Sequence, residues 1–375
     1  MSDEVIIRPT MSKTDALLAC AWPWGRKAPR DTGSDASRFG TACHDVFARL
    51  GAENTLMGAP LRKACVDAGD AFKVDSKEVE ALTSQSWPVF LKWMKGGNPF
   101  KKDFYSKGFA KYEFSVAYEV ESYTARECES PNEATHEYPD CDYETELPGT
   151  ADVIFWRRNE YLCVLDYKTG DDVPEPGESG QLLSLATALL HLYPAKEVIL
   201  ALAHAPRRGE GLATIYADTV SKKRLDAHAE ALADAWQRRG TSMSPGEVCR
   251  YCPALTSCPT QSSMLVELKR GGAGRLALTP ERVGAIHLAL QQYKELAERL
   301  GEEIRGYVSA NGPVTRPDGK VLDFVSREYE TLSKSSVTKA LGVVEGEKVL
   351  AQLRKKGCLV TTERQELRAE NDRGK

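Results

Sequence analysis

Residues 148–170 read PGTADVIFWRRNEYLCVLDYKTG, and this stretch determines the expected fold. Two short runs, residues 153–156 and 161–165, are rich in the β-branched and aromatic side chains that favour strands. The polar residues 157–160 separate the two runs. The pattern therefore predicts two adjacent strands that are joined by a tight turn.

Three charged side chains mark one end of this hairpin. Asp152 opens the first predicted strand, and Asp166 and Lys168 end the second. Side chains two residues apart share a strand face, so Asp166 and Lys168 lie on one face, and both carboxylates lie near the same end of the hairpin. Two carboxylates and a lysine can hold a hard divalent cation and act on a phosphate.

Further motifs accompany the hairpin in a definite order along the chain. The full set is Gly40-x-x-x-His44, Gly149-Thr150-Ala151-Asp152, Asp166-Tyr167-Lys168-Thr169-Gly170 and Gln181. With an apolar strand before the D-x-K triplet and a helix after it, the set resembles the RecB-like branch of the PD-(D/E)XK nucleases over residues 15–260. The resemblance implies an α/β fold with a restriction-endonuclease-like core, in which helices flank a mixed central sheet.

The resemblance also implies roles for individual residues. Asp152, Asp166 and Lys168 would be catalytic, and Gln181 would contact the substrate. One or two Mg²⁺ or Mn²⁺ ions would be held by His44, Asp152, Asp166 and the backbone carbonyl of Tyr167. In relatives the glutamine begins a Q-x-x-x-Y motif, whereas the fifth position here is Leu185.

Some of these residues also have a purely structural interpretation. Alone, Gly40 and His44, one helical turn apart, are typical of a packing glycine and a hydrogen-bonded histidine. Glu113 lies in the predicted strand 109–120, where relatives often carry an acidic residue that helps at the metal site. A lone strand glutamate is nevertheless typical of a solvent-facing position. Residues 121–146 are acidic and polar, and we interpret them as an exposed insertion between strands.

A second chemical motif lies near residue 250. Cys249, Cys252 and Cys258 form a C-x2-C-x5-C pattern in a proline-containing loop, which predicts metal ligation that needs a fourth ligand, in either a zinc site or an iron–sulfur cluster. AddB-type and CRISPR-associated RecB-like nucleases carry one cysteine before the core and three after it. That resemblance implies that Cys20 completes a 4Fe–4S cluster, with Zn²⁺ as the alternative. The remaining cysteines are interpreted as ordinary core or surface residues: Cys43, Cys65, Cys128, Cys141, Cys163 and Cys358.

Composition limits the class of protein. With 375 residues, 42% hydrophobic and 28% charged, the chain fits a soluble mixed α/β protein of about two or three domains. Its net charge of −4 argues against a broad basic surface that coats DNA. The N-terminus lacks an apolar signal region, and no run approaches the ~18 apolar residues of a membrane span. We therefore predict a cytoplasmic protein without membrane association.

The domain prediction places a nuclease domain with its cysteine clasp in residues 1–265 and a mainly helical extension in residues 266–375. The extension is expected to contain a long helix over 279–310, a hairpin around 316–320 and small helices over 335–357. Apolar residues recur along the long helix at steps of four and three, which predicts one apolar seam. The seam could dock on the nuclease body, pair with a second subunit or bind a partner protein, and docking is the default expectation.

The predicted function is a metal-dependent DNA nuclease. We expect an exonuclease that acts on single-stranded DNA or duplex ends in recombination, repair or mobile-element processing. One alternative is a catalytically inactive DNA-binding or assembly protein on the same fold. The other is a zinc-clasped nuclease that acts on RNA.

Overall fold

The structure is a computed structural model. It describes residues 4–29, 35–53, 58–105, 109–132, 137–170, 173–207, 212–244, 246, 248–249, 252, 254–260, 280–315, 321–322 and 343–355. The chain divides into two compact units, Met1–Ile304 and Arg305–Lys375. The predicted boundary near residue 265 lies outside the described residues and stays a prediction.

A six-stranded mixed sheet forms the centre of the first unit. A short antiparallel pair, β1 (Glu4–Ile6) and β2 (Lys27–Pro29), precedes it. The sheet strands are β3 (Phe109–Glu119), β4 (Thr124–Glu127), β5 (Glu146–Arg157), β6 (Tyr161–Lys168), β7 (Glu197–His204) and β8 (Thr214–Val220). Their order is β4-β3-β5-β6-β7-β8. Only β6 and β7 pair in parallel within this sheet, which requires a crossover connection between them.

Helices cover both faces of the sheet. The helices that pack on the sheet are α1 (Thr14–Ala19), α2 (Asp35–Ala52), α3 (Ala59–Phe72), α4 (Ser76–Met94), α5 (Gly180–Leu192) and α6 (Lys222–Gln237). Helix α5 is the crossover, and it shares one apolar core with α1, α6 and one face of the sheet. Helices α2, α3 and α4 form a second core with the opposite face. This three-layer arrangement confirms the predicted mixed central sheet flanked by helices.

The predicted hairpin is present as β5 and β6, and its turn contains Asn159 in the left-handed region at φ 58°. The first strand is longer than predicted, since it begins at Glu146, and Asp152 therefore lies within the strand. Polar residues fit this extension because they find partners on the neighbouring strand. Thr150 Oγ1, for example, lies 2.8 Å from Ser115 Oγ on β3, and the two hydroxyls hydrogen-bond.

Strands β3 and β5 share an irregularity at Glu113 and Asp152, which the register leaves unpaired between Tyr112–Val153 and Phe114–Ala151. Alternate side chains of a strand normally point to one face, yet both strands change face at this point. Glu113 has φ 49°, a left-handed conformation that is costly for a residue with a side chain and that clusters at functional sites. The residues that show the change are Tyr112 and Phe114 in β3, and Ala151 and Val153 in β5.

The C-terminal region contains α7 (Pro280–Asn311), the antiparallel strands β9 (Val314–Thr315) and β10 (Val321–Leu322), and α8 (Val343–Lys355). On the apolar seam of α7, Leu300 packs against Cys249 and Leu255, whereas Leu290 is 60% exposed. The predicted hairpin turn and residues 335–342 lie outside the described residues. Among the helices that are described, none combines the length and apolar composition that crossing a membrane requires.

Candidate active site

Asp152 lies within β5 and is buried, with 8% of its surface exposed. Its Oδ2 atom accepts a hydrogen bond of 2.6 Å from the backbone N–H of Tyr167 and lies 3.3 Å from Nδ1 of His44. Burial alone would raise the pKa of Asp152, but the His44 ring and the Tyr167 N–H outweigh it and lower this pKa. Asp152 is therefore an anion that two donors hold in place.

His44 reaches Asp152 because α2 approaches the end of β6 closely at Gly40. A Cβ atom at Gly40 would lie 3.0 Å from Oγ1 of Thr169, so a larger residue would push the helix away from the strand. Burial has the largest single effect and lowers the pKa of His44, but the charge and hydrogen bond of Asp152 together with the charge of Asp166 outweigh it, so the net shift is upward. Gly40 thus serves helix packing, and that packing positions the imidazole at the carboxylate.

Asp166 and Lys168 lie beside one another at the end of β6, as the sequence predicts. Lys168 Nζ lies 2.7 Å from Asp166 Oδ2. Gln181, at the start of α5, donates to Asp166 Oδ1 at 2.7 Å and accepts from Lys168 Nζ at 3.1 Å. Burial lowers the pKa of Lys168, but the charge and hydrogen bond of Asp166 together with the charges of Asp152 and Asp15 outweigh it and raise the pKa, so the lysine is a cation at neutral pH. Gln181 holds the pair, and its predicted contact with substrate stays a prediction.

Glu113 is exposed to solvent within the cleft that the site lines. Protein surrounds the carboxyl group on most sides, and this enclosure together with the charge of Asp152 raises its pKa to about 8. Burial and the charge of Asp152 also raise the pKa of Asp166. Glu113 thus faces solvent, as a lone strand glutamate is expected to, but that solvent is the site cleft.

The cleft has a volume of about 470 Å³. The residues that line it are Ala36, Ser37, Gly40, Thr41, His44, Asp45, Phe72, Glu113, Tyr167, Lys168, Thr169 and Gly170. Asp152, Asp166 and Glu113 are near enough to perturb one another, and burial together with the negative charge of Asp152 raises the pKa values of Glu113 and Asp166. A divalent cation would relieve the repulsion between these charges, and carboxylate oxygens with an imidazole are suitable ligands for Mg²⁺ or Mn²⁺. The residues present therefore fit a metal ion.

The fold and this site agree with the comparison with known families. A family model for the PD-(D/E)XK nuclease superfamily matches residues 10–259, about two-thirds of the chain. The chain belongs to the PD-(D/E)XK nuclease superfamily. A solved structure titled "Crystal structure of SSO0001" is 14% identical, and the match covers 62% of this chain and 89% of that one with a TM-score of 0.26. None of the curated proteins matches the chain.

Asp15 belongs to the site, although no sequence pattern singled it out. Its carboxylate accepts the backbone N–H of Gly180 at 3.0 Å through Oδ1 and at 3.2 Å through Oδ2, at the N-terminus of α5. A Cβ atom at Gly180 would lie 2.3 Å from Asp15 Oδ1, so this position requires glycine. Asp15 also interacts electrostatically with Lys168. Because 165 residues separate Asp15 from Gly180, local periodicity carries no signal of the contact.

The four predicted clasp cysteines come from both ends of the nuclease core. Cys20 follows α1, and its sulfur accepts the N–H of Ser244 at 3.5 Å; the sulfur of Cys249 accepts the N–H of Gly246 at 3.4 Å. Burial raises the pKa of Cys252 to about 11, and the thiols of the other three cysteines contribute to this rise. These three are Cys20, which follows α1, and Cys249 and Cys258 on the later loop. The fold therefore brings the first cysteine to the later three.

Proposed function

We propose that this protein is a Mg²⁺- or Mn²⁺-dependent DNA exonuclease of the RecB-like branch, acting on single strands or duplex ends in recombination, repair or mobile-element processing. The observation that carries the proposal is the convergence of Asp152, Asp166, Lys168 and His44 at one end of the sheet, beside an open cleft. An intact set of this kind argues against a catalytically retired fold, which has no need for the repulsion among its carboxylates.

The proposed roles follow from the contacts. Asp152, Asp166, His44 and the Tyr167 carbonyl would hold the ion, which when bound polarises the scissile phosphate and lowers the pKa of an attacking water. Lys168 remains charged and would stabilise the negative charge that develops on phosphoryl oxygens. Gln181 accepts a hydrogen bond from Lys168 and donates one to Asp166, and it thereby holds the ammonium group beside the carboxylate.

We further propose that Cys20, Cys249, Cys252 and Cys258 ligate a 4Fe–4S cluster. The resemblance of the one-plus-three cysteine arrangement to that of AddB-type nucleases supports a cluster rather than zinc. The two N–H donors to sulfur are interactions that tune such clusters.

The substrate proposal is tested with end-labelled DNA. Full-length protein and Mn²⁺ are incubated with single-stranded and duplex DNA whose 5′ or 3′ end is blocked, with circular single-stranded DNA, and with RNA of the same sequence. We expect a ladder of products that starts from the free end of linear DNA, with circular DNA and RNA left intact. Gel electrophoresis over time measures the rate and the polarity.

The controls separate the parts of this proposal. Cleavage of circular DNA would contradict the exonuclease assignment, and preferential cleavage of RNA would contradict the DNA assignment. Asp166→Asn protein, purified in parallel, shows whether any cleavage comes from a contaminant. Absence of cleavage in all substrates with either Mg²⁺ or Mn²⁺ would contradict the catalytic proposal itself.

Asp15 is predicted to act as a positioning residue. Asp15→Ala removes the acceptor for the Gly180 N–H, and the loss of a helix-capping contact costs on the order of 1 kcal/mol. We expect the loss of this contact to displace Gln181, and a loss of that size in transition-state stabilisation lowers kcat about fivefold. KM is expected to stay the same, because Asp15 is not among the residues that line the cleft. Steady-state kinetics on a short oligonucleotide measure both constants.

The conservative variant tests the mechanism of this effect. Asp15→Asn keeps an oxygen acceptor for Gly180, so we expect it to recover most of kcat. A merely structural role would lower the melting temperature of Asp15→Ala without this selective effect on kcat. Equal kcat values for Asp15→Ala and the unchanged protein would exclude the positioning role.

A further inference from the structure

The acidic insertion between β4 and β5 contains a second group of metal-ligating side chains. Cys128, Asp140 and Cys141 each place one ligand atom within 4.8 Å of the others, the one such group of histidine, cysteine and acidic residues in the part of the chain that the structure describes. Cys128 and Cys141 are therefore neighbours and not scattered, whereas their interpretation as ordinary residues stays a prediction. They are neighbours because the chain reverses between them, which residue spacing alone does not reveal.

The spacing of these atoms matches the coordination sphere of a small soft cation. Zinc bonds of about 2.3 Å to sulfur and about 2.0–2.2 Å to oxygen place a sulfur and an oxygen about 3.6 Å apart across a tetrahedral angle. The Sγ of Cys141 lies 3.7 Å from Oδ1 of Asp140. Small side-chain adjustments would suffice for all three atoms to meet one ion.

Neighbouring groups already hold the ligands in position. Arg126 binds Glu146 through two bonds of 2.7 and 2.8 Å and donates to Asp140 Oδ2 at 2.9 Å. The N–H of Glu129 donates to Asp140 Oδ1 at 3.0 Å. Such outer contacts orient the ligands of metal sites. Arg126 also offsets part of the negative charge that two thiolates and two carboxylates would bring together.

The carboxylate distinguishes a metal site from a simple cysteine pair. A disulfide between Cys128 and Cys141 would use only the two sulfurs, whereas a metal site would also use the Asp140 oxygen that lies 3.7 Å from Cys141 Sγ. Zinc would bind both cysteines as thiolates, so zinc binding would release their protons.

We propose that Cys128, Cys141 and Asp140 bind one Zn²⁺ ion, with water as the fourth ligand. Space for that water exists because Cys141 lines a second cleft of about 550 Å³. The ion would secure the insertion beside the active-site strand. Tyr138 OH lies 2.9 Å from Thr150 Oγ1, two residues before Asp152 on β5, so the insertion and the strand are already in contact.

The test uses Co²⁺ as the probe, because Co²⁺ bound to thiolate gives a charge-transfer absorption that oxygen-bound Co²⁺ at the active site does not. Reduced full-length protein is treated with a mild chelator and titrated with Co²⁺. We expect Cys128→Ser and Cys141→Ser each to bind one equivalent of Co²⁺ fewer than the unchanged protein, measured by the thiolate charge-transfer absorption. Asp140→Asn should bind this equivalent of Co²⁺ at least tenfold more weakly. Competition with Zn²⁺ measures the preferred ion.

Matched controls separate this site from general charge effects and from a thiol elsewhere in the core. Asp142→Asn changes the same charge in the same loop, and Cys65→Ser removes a thiol that hydrogen-bonds Thr83 in another part of the core; both should bind as the unchanged protein does. Unchanged thiolate absorption in Cys128→Ser overturns the proposal. So does a Cys128–Cys141 disulfide that forms without bound metal.

A second measurement does not depend on the folding of variants. Limited proteolysis of the unchanged protein by a glutamate-specific protease is compared with and without Zn²⁺. We expect Zn²⁺ to slow cleavage within residues 128–146 at least tenfold, while cleavage elsewhere proceeds at its former rate. Equal rates within this segment, with and without Zn²⁺, overturn the proposal.

Discussion

Asp166→Asn is expected to lower the rate of DNA cleavage by at least about a thousandfold and to leave the fold intact. In the proposed mechanism a bound ion would contribute several kcal/mol to transition-state stabilisation, and each ~1.4 kcal/mol corresponds to a factor of ten in rate. Asparagine has nearly the same shape but lacks the charge that holds the ion. It would also place an amide donor near the Lys168 ammonium, which now lies 2.7 Å from the carboxylate.

The stability of this variant carries independent information. Asp166 is only 2% exposed, and burial together with the charge of Asp152 raises its pKa, so the charged form is unfavourable in the metal-free protein. In the presence of chelator, the melting temperature of Asp166→Asn should therefore equal or exceed that of the unchanged protein. Loss of activity with higher stability is the pattern of a residue that serves function at the expense of stability.

Two measurements check this prediction. Calorimetric titration with Mn²⁺ should show binding to the unchanged protein and none at the active site of Asp166→Asn. Asp234→Asn is the matched control, because Asp234 is an exposed acid on α6 that pairs with Arg238 at 2.7 Å, away from the cleft. An Asp166→Asn protein that cleaves DNA within tenfold of the normal rate would refute the assignment of this residue.

Cys252→Ser is expected to remove the visible absorption of the purified protein and to reduce its soluble yield severalfold. Metal binding at a site that the unfolded chain lacks contributes directly to folding free energy. The cluster would join the segment after α1 to the loop after α6, two parts of the chain that are distant in sequence. Its loss should also reduce activity, because Asp15 lies in α1, five residues before Cys20.

The clasp interpretation requires that cysteines at both ends of the core behave alike. Cys20→Ser should therefore lose as much iron as Cys252→Ser, by elemental analysis of freshly purified protein. Cys65→Ser, which removes a buried thiol outside the clasp, should retain its iron. Full iron content in Cys20→Ser would show that the three later cysteines act without it. If elemental analysis finds zinc instead of iron, the four cysteines bind Zn²⁺ rather than a 4Fe–4S cluster, and their role as a clasp is unchanged.

Local patterns predicted most of the elements around the site. The hairpin of β5 and β6 followed from two apolar runs and a polar turn, and the joint placement of Asp166 and Lys168 followed from the two-residue repeat of a strand. The position of Asp152 was less well predicted. Its strand begins at Glu146, because polar residues that resemble a loop in sequence find hydrogen-bond partners on β3.

The contacts that complete the site were not visible in any local pattern. His44 meets Asp152 because α2 packs on one face of the sheet, and Asp15 meets Gly180 because α1 packs on the other. Neither the change of face at Glu113 nor the pairing of Cys128 with Cys141 leaves a periodic signal.

Strand β4 was not predicted, because it lies in the segment interpreted as an exposed insertion. The amino-acid sequence by itself determined most of the other strands and helices around the site, the D-x-K triplet at the end of β6 and the spacing of the later cysteines. These features depend on interactions between residues that are near in the chain, and periodicity reports them directly. Only the tertiary structure decided which distant side chains share a cleft, because that depends on how helices pack against the two faces of the sheet. The tertiary structure also decided that Cys128 and Cys141, which form no motif in the sequence, lie beside Asp140.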